Sequence, residues 1–175
     1  MKRFHIDRAI RRHVPEAAGK ALLEAGCGVG LMTPAYVQLG FDVVAVDFSP
    51  TAIEEARKRT VDAQFVRSRL AELELNRTFD VITVIDVLLH IVDDDEWLAT
   101  LEVLARHLTH AGVMIVLDWI GEWVGPLGDH CRIRPMSRYV AALADVGLRI
   151  DAAEQFRLEH EDVRKDLLTI RHVRD

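Results

Sequence analysis

The sequence predicts an α/β fold built on a doubly wound, mostly parallel sheet. Apolar strand-like runs alternate with helical stretches, the run at 113–117 (VMIVL) is apolar enough for a strand covered on both faces, and the chain closes on two strands around a charged hairpin. Residues 5–18 read as a helix ending near Gly19, with Ile6, Ile10 and Val14 at helical spacing. ALLEA at 21–25 is a short buried strand, followed by a glycine loop and a helical stretch through Leu39. Residues 41–46 form the second strand. Ser49 and Pro50 open the next helix as N-cap and first-turn proline. Residues 64–66 and 80–85 are the third and fourth strands. Asp93 and Asp94 precede a helix with Trp97, Leu101, Leu104, Ala105 and Leu108 on one stripe, ended by His110-Ala111-Gly112. Ser137 is read as the cap of a last helix that stops at Gly147, before strands at about 148–156 and 166–173.

With 175 residues, 50% apolar and 29% charged, the chain is long enough for one domain with a sizeable core. No apolar run approaches the roughly 18 residues of a membrane span, and the basic start never enters a signal-peptide core, so the expectation is a soluble, cytoplasmic domain. Two cysteines, Cys27 and Cys131, make neither a disulfide framework nor a zinc knuckle. The net charge of −6 is uneven: residues 1–20 carry +4 and the remainder −10, which argues against a general nucleic-acid surface. The basic start either steers an anionic ligand or is the wet face of a helix packed through its apolar stripe.

After the first strand comes Glu24-Ala25-Gly26-Cys27-Gly28-Val29-Gly30. Such a loop lets a ligand approach the backbone. The dinucleotide pattern needs its third glycine at position 31, which is Leu31, and no Gly-Lys-Ser/Thr follows for a phosphate loop. An acid, Asp47, ends the second strand 21 residues after Gly26, where a carboxylate accepts both hydroxyls of a ribose, and Phe48 offers an apolar face to a purine. The loop and acid together suit an adenosine-bearing ligand without a pyrophosphate. A loop serving only as a tight turn is the bland alternative.

Leu23 to Gly30, then Val46-Asp47-Phe48-Ser49, Phe79 to Ile82, Asp86 to Ile91 and Leu108 to Val113, resemble the motifs of class I S-adenosylmethionine-dependent methyltransferases over residues 20–173. The resemblance implies a Rossmann-like seven-stranded sheet of order 3-2-1-4-5-7-6 with the last strand antiparallel, and a single domain. That domain divides into a basic N-terminal helix (1–19), a cofactor-binding core (20–118), a flap or substrate loop (119–136), and a C-terminal helix and hairpin (137–175). It also implies that Gly26, Cys27, Gly28 and Gly30 pass the methionine portion of the cofactor and that Glu24 orients its amino group. Asp47 takes the ribose, Phe48 lies beside the adenine, and Asp86 and Val87 line the sulfonium. Many members place an adenine-reading acid after strand three; here stands Arg69, which has donors only, so backbone amides near Leu70, or Glu72, are expected in its place.

For the transfer itself, His90 after the fourth strand and His130 after the fifth are the candidate bases, the first alternatively shaping the cofactor pocket. Arg132 and Arg134 are candidate holders of an anionic acceptor, and Trp123, in GEWVGPLG, a cover for an apolar one. No metal is expected: Asp93 to Asp95 suit a helix N-terminus, and Asp118 is followed by Trp119 rather than a second ligand. The expected activity is methylation of a small-molecule acceptor, on oxygen first and nitrogen second. The acceptor would be a sugar or natural-product intermediate, or one presented by a partner or by a homodimer. A silent cofactor-binding module and an RNA methyltransferase are the competing readings.

Overall fold

The computed structural model describes residues 2–121, 130–157 and 164–173. Its seven strands are β1 (Ala21–Ala25), β2 (Asp42–Asp47), β3 (Gln64–Arg67), β4 (Phe79–Ile85), β5 (Leu108–Asp118), β6 (Leu148–Arg157) and β7 (Arg164–His172). They form one sheet of order β3-β2-β1-β4-β5-β7-β6, the expected order. β1 to β5 pair in parallel, whereas β7 runs antiparallel to both of its neighbours. The winding reverses between β1 and β4, so the carboxyl ends of those strands open a crevice.

Strand periodicity sorts the core into two layers. Leu23, Val44, Ile82, Val84 and Val116 face α4 (Asp94–His107) and α5 (Met136–Asp145) in one apolar cluster, with Trp97 fully buried against Tyr139 edge-on at 5.2 Å. Their neighbours Leu22, Val43, Val81 and Ile115 face the other way, toward α1 (Lys2–His13) and α2 (Thr33–Gln38). Ile6, Ile10 and Val14 are buried in that second layer, which accounts for the amphipathic start as a packing helix; Arg8 and Arg12 on its wet side pair with Glu154 of β6.

Three expected boundaries move: the first helix, expected over 5–18, runs from Lys2 to His13, and two others shift farther along the chain. The helix stripe does not run to Gly112: α4 ends at His107 and β5 begins at the next residue. His107 is buried and makes the stop, its Nδ1 lying 2.7 Å from the Val103 carbonyl while Nε2 accepts the Leu75 N–H at 3.1 Å. Thr109 to Gly112 then bulge out of β5 opposite the single residue Asp80, so the turn signal is real but interrupts a strand rather than ending a helix. Ser137 is not a cap. It lies inside α5, whose N-cap is Pro135 in extended conformation.

α3 (Pro50–Arg59) starts as expected, with the Ser49 hydroxyl accepting the Ala52 N–H at 3.2 Å. It packs so closely on the glycine loop that a Cβ on Gly30, whose φ is +75°, would stand 2.9 Å from the Ala56 Cβ and 3.0 Å from its Cα. Gly30→Ala should therefore lose about 2–4 kcal/mol in urea denaturation, from the left-handed backbone plus the clash. Gly19→Ala, at φ +77° but with open space around it, should lose only the backbone part, about 1–2 kcal/mol.

Candidate functional site

The crevice at the carboxyl ends of β1, β2 and β4 holds a cavity of about 650 Å³. Gly26, Gly28, Asp47, Phe48, Leu70, Asp86, Val87, His90 and His130 all line it, brought together from five separate segments. Glu24, Cys27, Gly30, Arg132 and Arg134 do not, and Trp123 lies outside the described residues.

The three glycines of the loop have different jobs. A Cβ on Gly26 would stand 2.4 Å from Val87 Cγ2, so this glycine lets β1 and the end of β4 close on each other. Gly30 admits α3. Gly28 alone faces open space at positive φ, and its N–H donates to Asp47 Oδ2 at 2.8 Å. The other Asp47 oxygen accepts from the Ser49 N–H at 2.9 Å. Two backbone donors thus fix the carboxylate while each oxygen keeps acceptor capacity for a ligand diol.

Glu24 lies behind this loop rather than in the cavity. It is buried, and its carboxylate accepts from the Thr33 hydroxyl at 2.6 Å. Burial pushes its pKa up to about 7, with the Thr33 bond opposing the shift. Cys27 is likewise a buried filler, its thiol pushed up to about 12 by burial and by the Glu24 and Asp47 carboxylates.

Asp86 closes β4 at φ +55°, a left-handed conformation that aspartate tolerates better than most residues. Its carboxylate receives the Lys165 ammonium of β7 at 2.6 Å. Nothing local in the sequence announces this pair; the strand order creates it. Asp118, at the end of β5, is fully buried and accepts the N–H groups of Trp119 (2.8 Å) and Leu89 (3.0 Å). Burial raises its pKa to about 7, with the Asp86 charge adding to the rise.

His90 ends the short 3-10 turn Leu88–His90 and is exposed on the cavity. Its Nδ1 lies 3.2 Å from the His130 carbonyl and 3.4 Å from Cys131 Sγ, and its ring stacks on that of His130 with centroids 6.4 Å apart. A carbonyl only accepts, so that bond places the proton on Nδ1 and leaves Nε2 as the acceptor.

The two arginines expected to hold an acceptor are committed elsewhere. Arg134 is buried, and its guanidinium bonds Asp94 Oδ1 at 2.8 and 3.0 Å and the Ile91 carbonyl at 2.9 Å, and reaches the Leu88 carbonyl at 3.4 Å. It also lies over the Trp97 ring, 4.7 Å from its centroid. Arg132 pairs with Asp94 Oδ2 at 2.9 Å and donates to the Val92 carbonyl at 3.1 Å. Both brace the segment that carries His90. Asp93 caps α4 through the Glu96 N–H at 2.8 Å, as the helix-terminus reading has it. Among the described residues no group of three or more His, Cys, Asp or Glu side chains is placed to hold a metal ion.

Residues 22–112 match the model of a family described as a methyltransferase domain, a little over half of the chain. The chain belongs to that family. Its motifs and its sheet order are those of the class I S-adenosylmethionine-dependent methyltransferase fold. Among curated proteins it is 36% identical over 91 residues to a mitochondrial ubiquinone biosynthesis O-methyltransferase of Schizosaccharomyces pombe, covering 48% of this chain and 33% of that one. It is 32% identical over 97 residues to a cypemycin N-terminal methyltransferase of a Streptomyces species, covering 54% and 40%. The chain thus spans less than half the length of these relatives. The fold matches magnesium protoporphyrin IX methyltransferase from Synechocystis PCC 6803, crystallised with bound S-adenosylmethionine, at a TM-score of 0.78 and 20% identity over 97% of this chain and 79% of that one.

The buried acid Glu24 makes stability depend on pH in a definite direction. A carboxyl whose pKa rises from 4.5 to about 7 on folding takes up a proton, so its contribution is full below pH 4.5 and is lost as pH rises through 7. Glu24→Gln should flatten the stability profile between pH 4.5 and 7 and raise stability at pH 8 by about 2–3 kcal/mol, read from urea denaturation at a series of pH values.

Proposed function

We propose that this methyltransferase moves a methyl group from S-adenosylmethionine to an oxygen atom of a small-molecule acceptor. The observation that carries the reading is Asp47, held by the Gly28 and Ser49 amides at the switch point of the sheet, beside the one loop glycine that leaves open space. A carboxylate so fixed matches a ribose diol, Phe48 and Leu70 offer apolar surface to a purine, and Asp86 and Val87 stand at the end of β4. The donor set therefore fits the cofactor.

When bound, the cofactor supplies a methyl group on a sulfonium, an electrophile needing only an aligned nucleophile. The chain's contribution is mainly to hold that alignment, which can supply several kcal/mol of the barrier. Where the acceptor arrives as a hydroxyl, His90 Nε2 would take its proton, leaving the oxygen free to accept the methyl group the cofactor would supply. The His130 carbonyl on Nδ1 keeps the imidazole in the tautomer that can do this. Oxygen is favoured by the ubiquinone O-methyltransferase relative, and nitrogen is the second reading because the cypemycin relative is named as an N-terminal methyltransferase.

Calorimetry should show micromolar binding of S-adenosylmethionine and S-adenosylhomocysteine. Asp47→Ala should weaken both by at least about tenfold, the loss expected for hydrogen bonds to a charged acceptor. If a correctly folded wild-type chain binds neither, the reading is wrong. His90→Ala should lower kcat by about 100-fold on a hydroxyl acceptor and leave S-adenosylhomocysteine affinity unchanged; a wild-type rate would remove the histidine from the chemistry.

A further inference from the structure

The structure departs from the sequence expectation at the far end of the cavity, beyond Asp47 and Phe48. Ser68, Arg69 and Leu70 wall it on the β3 side, and Glu96 and Thr100 of α4 wall it on the other. Glu72 is not among the lining residues. Arg69 Nη1 donates to Glu96 Oε1 at 2.8 Å, so a carboxylate from the helix stands where the segment after β3 offers only a guanidinium. The hydroxyl hydrogens of Ser68 and Thr100 are committed to the carbonyls of Arg69 and Glu96, at 2.9 and 2.8 Å. The remaining acids at the cavity are fixed by other partners, Asp47 by two backbone amides and Asp86 by Lys165. Among the described residues that line this end, Glu96 alone carries a carboxylate.

We propose that Glu96 reads the purine: its carboxylate accepts the exocyclic amino hydrogens of adenine, with Arg69 serving as the brace that holds it over the cavity. The proposal rests on the functional reading above and deepens it. An ion pair this exposed, with side chains 57% and 36% accessible, adds little to stability, so its consequence lies in what it presents to a ligand. A charged acceptor attracts the adenine amine and repels the carbonyl oxygen that hypoxanthine or guanine carries at the same ring position. Specificity for adenine would then come from α4, on the opposite wall from the residues that follow β3.

The test is calorimetric binding of S-adenosylhomocysteine and of S-inosylhomocysteine, which differ at ring position 6, amine against carbonyl, and in the N1 hydrogen that comes with the carbonyl, to the wild-type chain, Glu96→Gln and Arg69→Ala. The wild type should prefer the adenine ligand by about 10- to 100-fold, the range for a hydrogen bond to a charged group. Glu96→Gln, whose amide can also donate, should bring the two affinities within about threefold of each other. Arg69→Ala, which keeps the carboxylate but removes its brace, should narrow the preference without abolishing it. Thermal unfolding matching the wild type certifies that each variant is folded. A preference unchanged in Glu96→Gln overturns the proposal while leaving the cofactor reading intact, as does one lost in Arg69→Ala but kept in Glu96→Gln. Wild type that binds neither ligand overturns both.

Discussion

A guanidinium buried in the interior must find acceptors for its hydrogens, and satisfying Arg134 organises the ligand-bearing edge of this sheet. Its partners are the Asp94 carboxylate and the carbonyls of Leu88, Ile91 and Asp93. Trp97 supplies the face on which the cation rests, and Tyr139 packs edge-on against the same side chain. The segment carrying His90 is thereby pinned from below, while the Leu89 N–H is drawn onto Asp118. The Arg132 N–H meets the Leu89 carbonyl at 2.7 Å, tying the return from β5 to the same stretch. The position of the imidazole is thus a product of buried polar satisfaction more than of local helix or turn preference.

Much of this architecture is written in short-range pattern. The apolar runs of β1, β2, β4 and β5, the Ser49-Pro50 start and the Asp47 position are each legible because a period or a cap is a property of a few neighbouring residues. What escapes the pattern is long-range and polar. Arg134 looks in the sequence like a surface ligand for an anion, because its acceptors lie 40 or more positions away. Asp86 and Lys165 are 79 positions apart, and Arg69 and Glu96 are 27 apart. His107 stops α4 early through the distant Leu75 amide, against an apolar stripe that continues to Leu108. Glu24 was readable as an acid in the motif, but strand burial turns it toward Thr33 and away from the cavity.

The cavity that results is chemically graded. One wall bears Asp47, whose geometry is set by backbone amides; the β4 end carries Asp86, offset by an ammonium. Asp118, at the end of β5, is buried, and that burial is what raises its pKa. A cationic ligand entering here meets carboxylates that are already oriented, so little reorganisation is needed at the moment of binding.

The Asp86–Lys165 contact also has a temporal side. β7 follows every other strand in the chain yet inserts between β5 and β6, and its pairing with β5 joins Met114 to Ile170. Until that strand docks, Asp86 stands at the cavity without the ammonium that offsets it. A chain whose β7 is out of the sheet would lack the ammonium that stands at Asp86, so the charge balance of the pocket and the completion of the sheet go together.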